Sequence, residues 1–257
     1  MSGQVLYTVE NGVGSVVFDR PEARNAMTWG MYASLGEICD RIAEDKSLRV
    51  VTFRGAGGEA FVAGTDIEQF REFKTGEDGL KYETIIDTRI GQIESLPIPT
   101  IAIVDGWAIG GGMAIAAACD FRVATPAAKF GIPIARTLGN CLSMANTARV
   151  IAAVGVARAK RMLMLAEVLG AEEAKAAGFV TEIAEPYVLD ERVGVMVSKL
   201  LANAPVTMRV IKEGTRRIIN ANLPDGDDLV AECYGSADFK IGVEAFLAKQ
   251  KPVWTGA

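Results

Sequence analysis

Ile98-Pro99-Thr100-Ile101-Ala102-Ile103-Val104-Asp105-Gly106-Trp107-Ala108-Ile109-Gly110-Gly111-Gly112-Met113-Ala114-Ile115-Ala116-Ala117-Ala118-Cys119 is the stretch that decides how this chain folds. The apolar run 100–104, partly β-branched, predicts a buried strand. Three glycines follow a turn, and the small residues 113–119 predict a closely packed helix. A strand thus delivers the backbone to an open helix N-terminus, where N–H groups lack intrahelical partners. Glycine lets a ligand come close to that backbone. The arrangement predicts main-chain donors aimed at a developing negative charge, an oxyanion hole. No Gly-x-Gly-x-x-Gly and no Gly-Lys-Ser/Thr pattern is present, which argues against dinucleotide and P-loop readings.

Outward from this stretch, Phe61-Val62-Ala63-Gly64-Thr65-Asp66-Ile67 repeats the scheme. It follows a strand at 49–54 and a loop at 55–59, and it runs from apolar residues through small ones to a helix start. One N–H from each segment would make a pair of donors. Ala63-Gly64-Thr65-Asp66-Ile67 resembles the (A/S)-Gly-Ala-Asp-(I/L) segment of the crotonase superfamily, the enoyl-CoA hydratase/isomerase family. Asp105-Gly106-Trp107-Ala108-Ile109-Gly110-Gly111-Gly112 resembles that family's Asn-Gly-Tyr-Ala-x-Gly-Gly-Gly segment. Arg20-Pro21-Glu22-Ala23-Arg24-Asn25-Ala26-Met27, Ala174-Lys175-Ala176-Ala177-Gly178-Phe179-Val180 and the C-terminal stretch 239–252 extend the likeness over nearly the whole chain. Each motif is weak alone; their order and spacing carry the resemblance.

Composition bounds the rest. A chain of 257 residues, half of them apolar, can bury a sizeable core. Cys39, Cys119, Cys141 and Cys233 are widely spaced, so neither a zinc site nor a disulfide framework is expected. A reducing cytoplasm is the expected setting. No charged-then-apolar leader opens the sequence and no apolar run suits a membrane span. A net charge of −5 argues against a nucleic-acid partner, though not against a polyanionic ligand met by local basic residues. The chain has no histidine, which removes Ser-His-Asp triads, Cys-His dyads and histidine-ligated metals. Any general acid or base is Asp, Glu, Tyr, Cys, Lys or water.

Patterning predicts a hairpin of 5–10 with 13–18 around Asn11-Gly12. It predicts a helix from Thr28, as N-cap, through 44, an exposed mobile stretch at 74–79, a helix at 80–95 and a mostly helical second half. The fold class expected is α/β. By resemblance it is a crotonase-like ββα spiral core over residues 1–200, carrying an acyl-CoA site. A C-terminal helical trimerisation region over 201–257 would pack on the core and on neighbouring subunits, in a homotrimer or dimer of trimers.

By resemblance the oxyanion donors are the N–H groups of Thr65 and Gly111, which would hold a thioester enolate. Ala63 and the backbone of Thr65, Asp66, Ile67 and Glu68 would line the bound coenzyme A. Arg24, with Lys249 and Lys251, would meet its phosphates. The Asp66 side chain is read as a helix cap. The family's two hydratase glutamates fall at Ala114 and Ile134, and a third carboxylate position falls at Leu142. A one-residue insertion before Val154-Gly155 moves that position to Cys141 or Ser143. No acid stands at any of them. The remaining local candidates are Arg136, to recognise a substrate carboxylate, Asn140, to orient water or a carbonyl, and Cys141, as nucleophile or acid. Glu83 and Asp87 on the preceding helix are more distant candidates, and a solvated helix face is the reading preferred for them. Three functions stay open: hydration or isomerisation of an acyl-CoA, C–C cleavage or decarboxylation of one, or acyl-CoA binding without catalysis. Coenzyme A enters as part of the substrate, with no prosthetic group and no metal.

Overall fold

The computed structural model describes residues 3–256. β1 (Gln4–Glu10) and β2 (Val13–Asp19) form the expected hairpin, with Asn11 and Gly12 both at positive φ, as a tight turn of the primed type requires. α1 (Trp29–Glu44) begins where Thr28 Oγ1 accepts from the Met31 N–H, and it buries Met31, Leu35, Ile38 and Ile42.

A repeating unit follows, in which a strand of the main sheet is succeeded by a short strand of a second sheet and then a helix. The first unit is β3 (Val50–Gly55), β4 (Ala60–Ala63) and α2 (Gly76–Ser95). The second is β5 (Thr100–Val104), β6 (Trp107–Ile109) and α3 (Gly111–Ala118). The third is β7 (Phe121–Ala124), β8 (Lys129–Gly131) and the single-turn α4 (Ile134–Thr137). Then come α5 (Met144–Val154), α6 (Val156–Met164), β9 (Val168–Gly170), α7 (Ala171–Ala176) and β10 (Glu182–Ile183). The main sheet has the order β1-β2-β3-β5-β7-β10 and the second sheet β4-β6-β8-β9. All pairs are parallel except β1–β2 and β8–β9. This is the ββα spiral expected. The central strands are buried on both faces, which is why β5 reads as a continuous apolar run rather than an alternating one.

The chain closes with α8 (Leu189–Ala202), α9 (Pro205–Ile219), α10 (Asp227–Gly235) and α11 (Ala237–Leu247). Leu189, Val193 and Leu200 of α8 cover Val50, Ile101, Ile103 and Val123 of the main sheet. The boundary expected at residue 200 therefore falls inside a helix that belongs to the core. α10 lies along α2, and α11 packs on the 3-10 turn Ile67–Glu72.

The helix expected from 80 starts earlier, at Gly76, while Lys74, Thr75 and Glu77 are exposed as expected. The Asp78 carboxylate accepts from the N–H groups of Lys74 and Thr75 at 2.9 and 3.0 Å, which starts α2 at Gly76. Gly79 is buried against α10: a Cβ there would lie 2.2 Å from the Tyr234 ring. The glycines that suggested a loop are instead the points where a helix makes close approach.

Candidate functional site

A cavity of about 880 Å³ opens between the two glycine segments, α2 and the chain around α4. Its floor is backbone. Met27 forms an isolated parallel bridge with Thr65, through Met27 N–H to Gly64 O and Asp66 N–H to Met27 O. In such a bridge the N–H of Thr65 itself points the other way. Gly111 is the first residue of α3. Neither N–H has a protein acceptor among the described residues. The two segments abut, since a Cβ on Gly111 would lie 3.7 Å from Thr65 Oγ1 and 2.6 Å from Tyr32 Oη. Gly112 has a different reason to be glycine: its Cβ would meet the Val62 carbonyl oxygen at 1.9 Å.

The Thr65 side chain faces inward. Its hydroxyl bonds Tyr32 Oη at 3.0 Å and Tyr82 Oη at 2.9 Å, joining α1 and α2 to the donor segment. Burial pushes the Tyr32 phenol up to about 12 and raises Tyr82 as well, so both stay neutral hydroxyls.

One wall comes from α2. Glu83 is 5% exposed and lines the cavity. Tyr234 Oη donates to its Oε1 at 2.6 Å, and the Ser143 N–H donates to its Oε2 at 3.1 Å. No lysine or arginine pairs with it among the described residues. Burial pushes its carboxyl up to about 7, against the two hydrogen bonds, which favour the charged form. Asp87, one turn on, accepts from Ser143 Oγ and Asn146 Nδ2, each at 2.7 Å. The solvated face expected for Glu83 and Asp87 is thus corrected. α10 and the start of α5 cover it, and the polar residues are there because they meet Tyr234, Ser143 and Asn146. Periodicity within α2 alone could not reveal partners about 60 and 150 residues away.

Of the residues singled out in the sequence, Arg24, Ala63, Thr65, Asp66, Ile67, Gly111, Arg136, Asn140 and Lys249 all line the cavity. So do Ala114, Ile134 and Leu142, which surround its inner part with hydrocarbon. Asn140 donates through Nδ2 to Tyr234 Oη at 3.1 Å, while its Oδ1 is buried without a partner among the described residues. Arg24 and Lys249 are exposed at the mouth. Asp66 caps the 3-10 turn through the Glu68 N–H and pairs with Arg20 at 2.8 Å. Glu68 and Cys141 do not line the cavity. The Glu68 side chain pairs with Arg71 at 3.3 Å. The Cys141 thiol faces Cys233 and the Leu229 carbonyl oxygen, and its contact with Cys233, then burial, push its pKa up. A protonated, occupied thiol is a poor nucleophile.

The comparisons with known proteins agree with this architecture. The profile of the enoyl-CoA hydratase/isomerase family matches residues 8–257. A short-chain-enoyl-CoA hydratase from Clostridium acetobutylicum is 32% identical over 96% of this chain and 95% of its own length. The crystal structure of an enoyl-CoA hydratase/carnithine racemase from Magnetospirillum magneticum superposes with a TM-score of 0.80 at 29% identity, covering 98% of this chain and 96% of that one. A methylmalonyl-CoA decarboxylase in complex with 2-nitronate-propionyl-CoA shares the fold, with a TM-score of 0.90 at 24% identity over 98% of each chain. With its three ββα units, its paired glycine segments and a matching profile over almost its entire length, this chain belongs to the enoyl-CoA hydratase/isomerase family of the crotonase superfamily.

Proposed function

We propose that this protein is an enzyme acting on an acyl-CoA thioester, and that it stabilises the thioester enolate between the backbone N–H groups of Thr65 and Gly111. The observation that carries this reading is the pair of unpaired N–H groups at adjacent positions on the cavity floor. Fixed main-chain donors in a partly desolvated site favour an oxyanion over a neutral carbonyl. Coenzyme A would run from this floor to the mouth, along Ala63, Asp66 and Ile67, with Arg24 and Lys249 near its phosphates. The relatives named as enoyl-CoA hydratases support the substrate class.

Ordinary two-carboxylate hydration is not favoured. Water must be deprotonated while the α-carbon is protonated, and Ala114 and Ile134 supply neither function. Crotonyl-CoA hydration, followed as loss of enone absorbance, is therefore expected to be slow or absent. Arg136 at the rim keeps decarboxylation or C–C cleavage of a carboxylated acyl-CoA as a second reading. Its guanidinium lines the same cavity and can hold a carboxylate. Self-association is part of the proposal as well, supported by the exposed apolar residues Val206, Val210, Ile211 and Ile218 on α9.

The direct test is optical. Hexadienoyl-CoA carries a conjugated thioester whose absorbance moves to longer wavelength when the carbonyl oxygen is polarised. A red shift on binding is expected. Binding with no shift would remove the oxyanion hole from the account, and no binding at millimolar thioester would remove the acyl-CoA site.

A further inference from the structure

We infer that Glu83 is the acid/base of this site, and that it moves a proton between the α- and γ-carbons of an acyl-CoA held on the Thr65 and Gly111 N–H groups. The inference rests on the proposed enolate site and deepens it.

Three independent features of the structure converge on this carboxyl. The first is placement. Tyr82 is bonded to the Thr65 hydroxyl at 2.9 Å, which pins α2 to the donor segment one residue before Glu83. Glu83 then lines the cavity beside Ala114, Ile134 and Leu142. Those three are hydrocarbon, so Glu83 is the one carboxylate at this inner wall that has no cation partner among the described residues. The other two carboxylates lining the cavity are Asp66, which is paired with Arg20, and Glu22, which is exposed on the turn Pro21–Ala23.

The second feature is support. Both carboxyl oxygens are held, one by the Tyr234 hydroxyl and one by the Ser143 N–H. Tyr234 is in turn fixed by Asn140 and packs against Tyr82 and Phe239, with ring centroids 6.0 and 4.8 Å away. A side chain so oriented loses little entropy when it takes a proton from a bound substrate.

The third feature is charge. A structural buried carboxylate normally has a cation, and none is present here among the described residues. The groups around Glu83 are acids or neutral hydroxyls: Asp87 and Tyr82 on α2, Tyr32 on α1, and Tyr234 on α10. The Cys141 and Cys233 thiols, which contact each other, also feel its charge. Arg149 on α5 reaches Asp87 rather than Glu83 in its field. The carboxyl therefore titrates at about 7, where both protonation states are populated and transfer in either direction is facile.

A single carboxylate suits a proton shift that consumes nothing. For a β,γ-enoyl thioester, a Glu83 oxygen takes the proton on the α-carbon. The C–H electron pair moves into the bond to the carbonyl carbon, and the carbonyl π pair moves onto oxygen, where the two N–H groups hold it. The resulting dienolate takes a proton at the γ-carbon from the Glu83 carboxyl. The double bond now lies between the α- and β-carbons, the carbonyl is restored and the carboxylate is regenerated. No water, oxidant or second acid enters.

The test compares wild type with Glu83→Gln in three readouts. These are the hexadienoyl-CoA red shift, deuterium uptake at the α-carbon of butyryl-CoA in heavy water, and interconversion of β,γ- and α,β-hexenoyl-CoA. The expected result is a red shift in both proteins, with exchange and isomerisation reduced by about 10²–10⁴ in the variant. Wild-type activity should rise with pH through about 7, as the base form appears. Tyr234→Phe, which removes a donor to the charged form, should move that rise to higher pH. A red-shifted complex in which Glu83→Gln exchanges as fast as wild type, or in which wild type does not exchange at all, would overturn the role of Glu83 and leave the oxyanion hole standing. A missing red shift overturns both. An unmoved pH profile in Tyr234→Phe also counts against Glu83, whatever the fate of the glutamine variant.

Discussion

Two carboxylates of this molecule were folded into it in opposite ways. Asp120, just after α3, accepts from the Thr100 N–H at 2.7 Å and the Thr100 hydroxyl at 2.9 Å, and pairs with Lys212 of α9 at 2.8 Å. Lys212 also donates to the Ile98 carbonyl oxygen at 3.1 Å, so strand, turn and helix are tied at one point. Glu83 is more deeply buried and has two hydrogen bonds but no cation among the described residues. The first arrangement holds a charge in place. The second leaves the charged and neutral forms nearly balanced, which costs stability at neutral pH and gives a group able to exchange protons. The difference separates a carboxylate that organises the fold from one that is free to do chemistry.

The comparison is sharpened most by Glu83→Gln. The folded carboxyl titrates at about 7 instead of its ordinary 4.5, so the native state binds a proton that the unfolded chain has released. Native stability from the neutral carboxyl is fully present below about pH 4.5 and is lost as pH rises through about 7. The shift corresponds to about 3 kcal/mol. Glu83→Gln should recover about that much above neutrality and nothing in acid, as read by urea unfolding across pH. A variant no more stable than wild type above neutrality would mean that the carboxyl is solvated or paired after all. Lys212→Met makes the opposite move by stripping the cation from Asp120. It should cost roughly 2–3 kcal/mol, less than a fully buried pair because Asp120 keeps 23% of its side chain exposed. Unchanged unfolding would show that water replaces the lysine. Smallest is Thr100→Val, which removes one of the three donors to Asp120 and should lower stability by about 1 kcal/mol in the same assay. A loss as large as that of Lys212→Met would show that the hydroxyl, not the cation, holds the aspartate.

The carboxylate pair also shows where sequence reading reached its limit. The spiral core was legible because its signals are local. β5 is an uninterrupted apolar strand, Asn11-Gly12 is a turn that only a few residues can make, and Thr28 is a helix cap. The paired glycine segments were legible for the same reason, since backbone donors at a helix start follow from chain geometry whatever side chains surround them. α2 was misjudged at both ends of that scale. Gly76 and Gly79 looked like loop residues, yet they are the contact points for α10, with Ala231 and the Tyr234 ring close above them. Glu83 was legible only as a distant candidate, with solvent-facing polarity the preferred reading.

By itself the sequence determined the alternation of strands and helices and the two glycine segments that open helix starts, and its family resemblance marked Ala114 and Ile134 as positions without an acid. The strands, helices and glycine segments each depend on residues within a few positions of one another. Only the tertiary structure decided that Cys141 turns away toward Cys233 and that Thr65 binds two tyrosines. It alone decided that Glu83 meets Tyr234 and Ser143 in the cavity wall. Desolvation is a property of everything packed around a group, and here the packing elements are distant in the chain. The proton affinity of Glu83 was therefore written in α10 and the start of α5 as much as in α2.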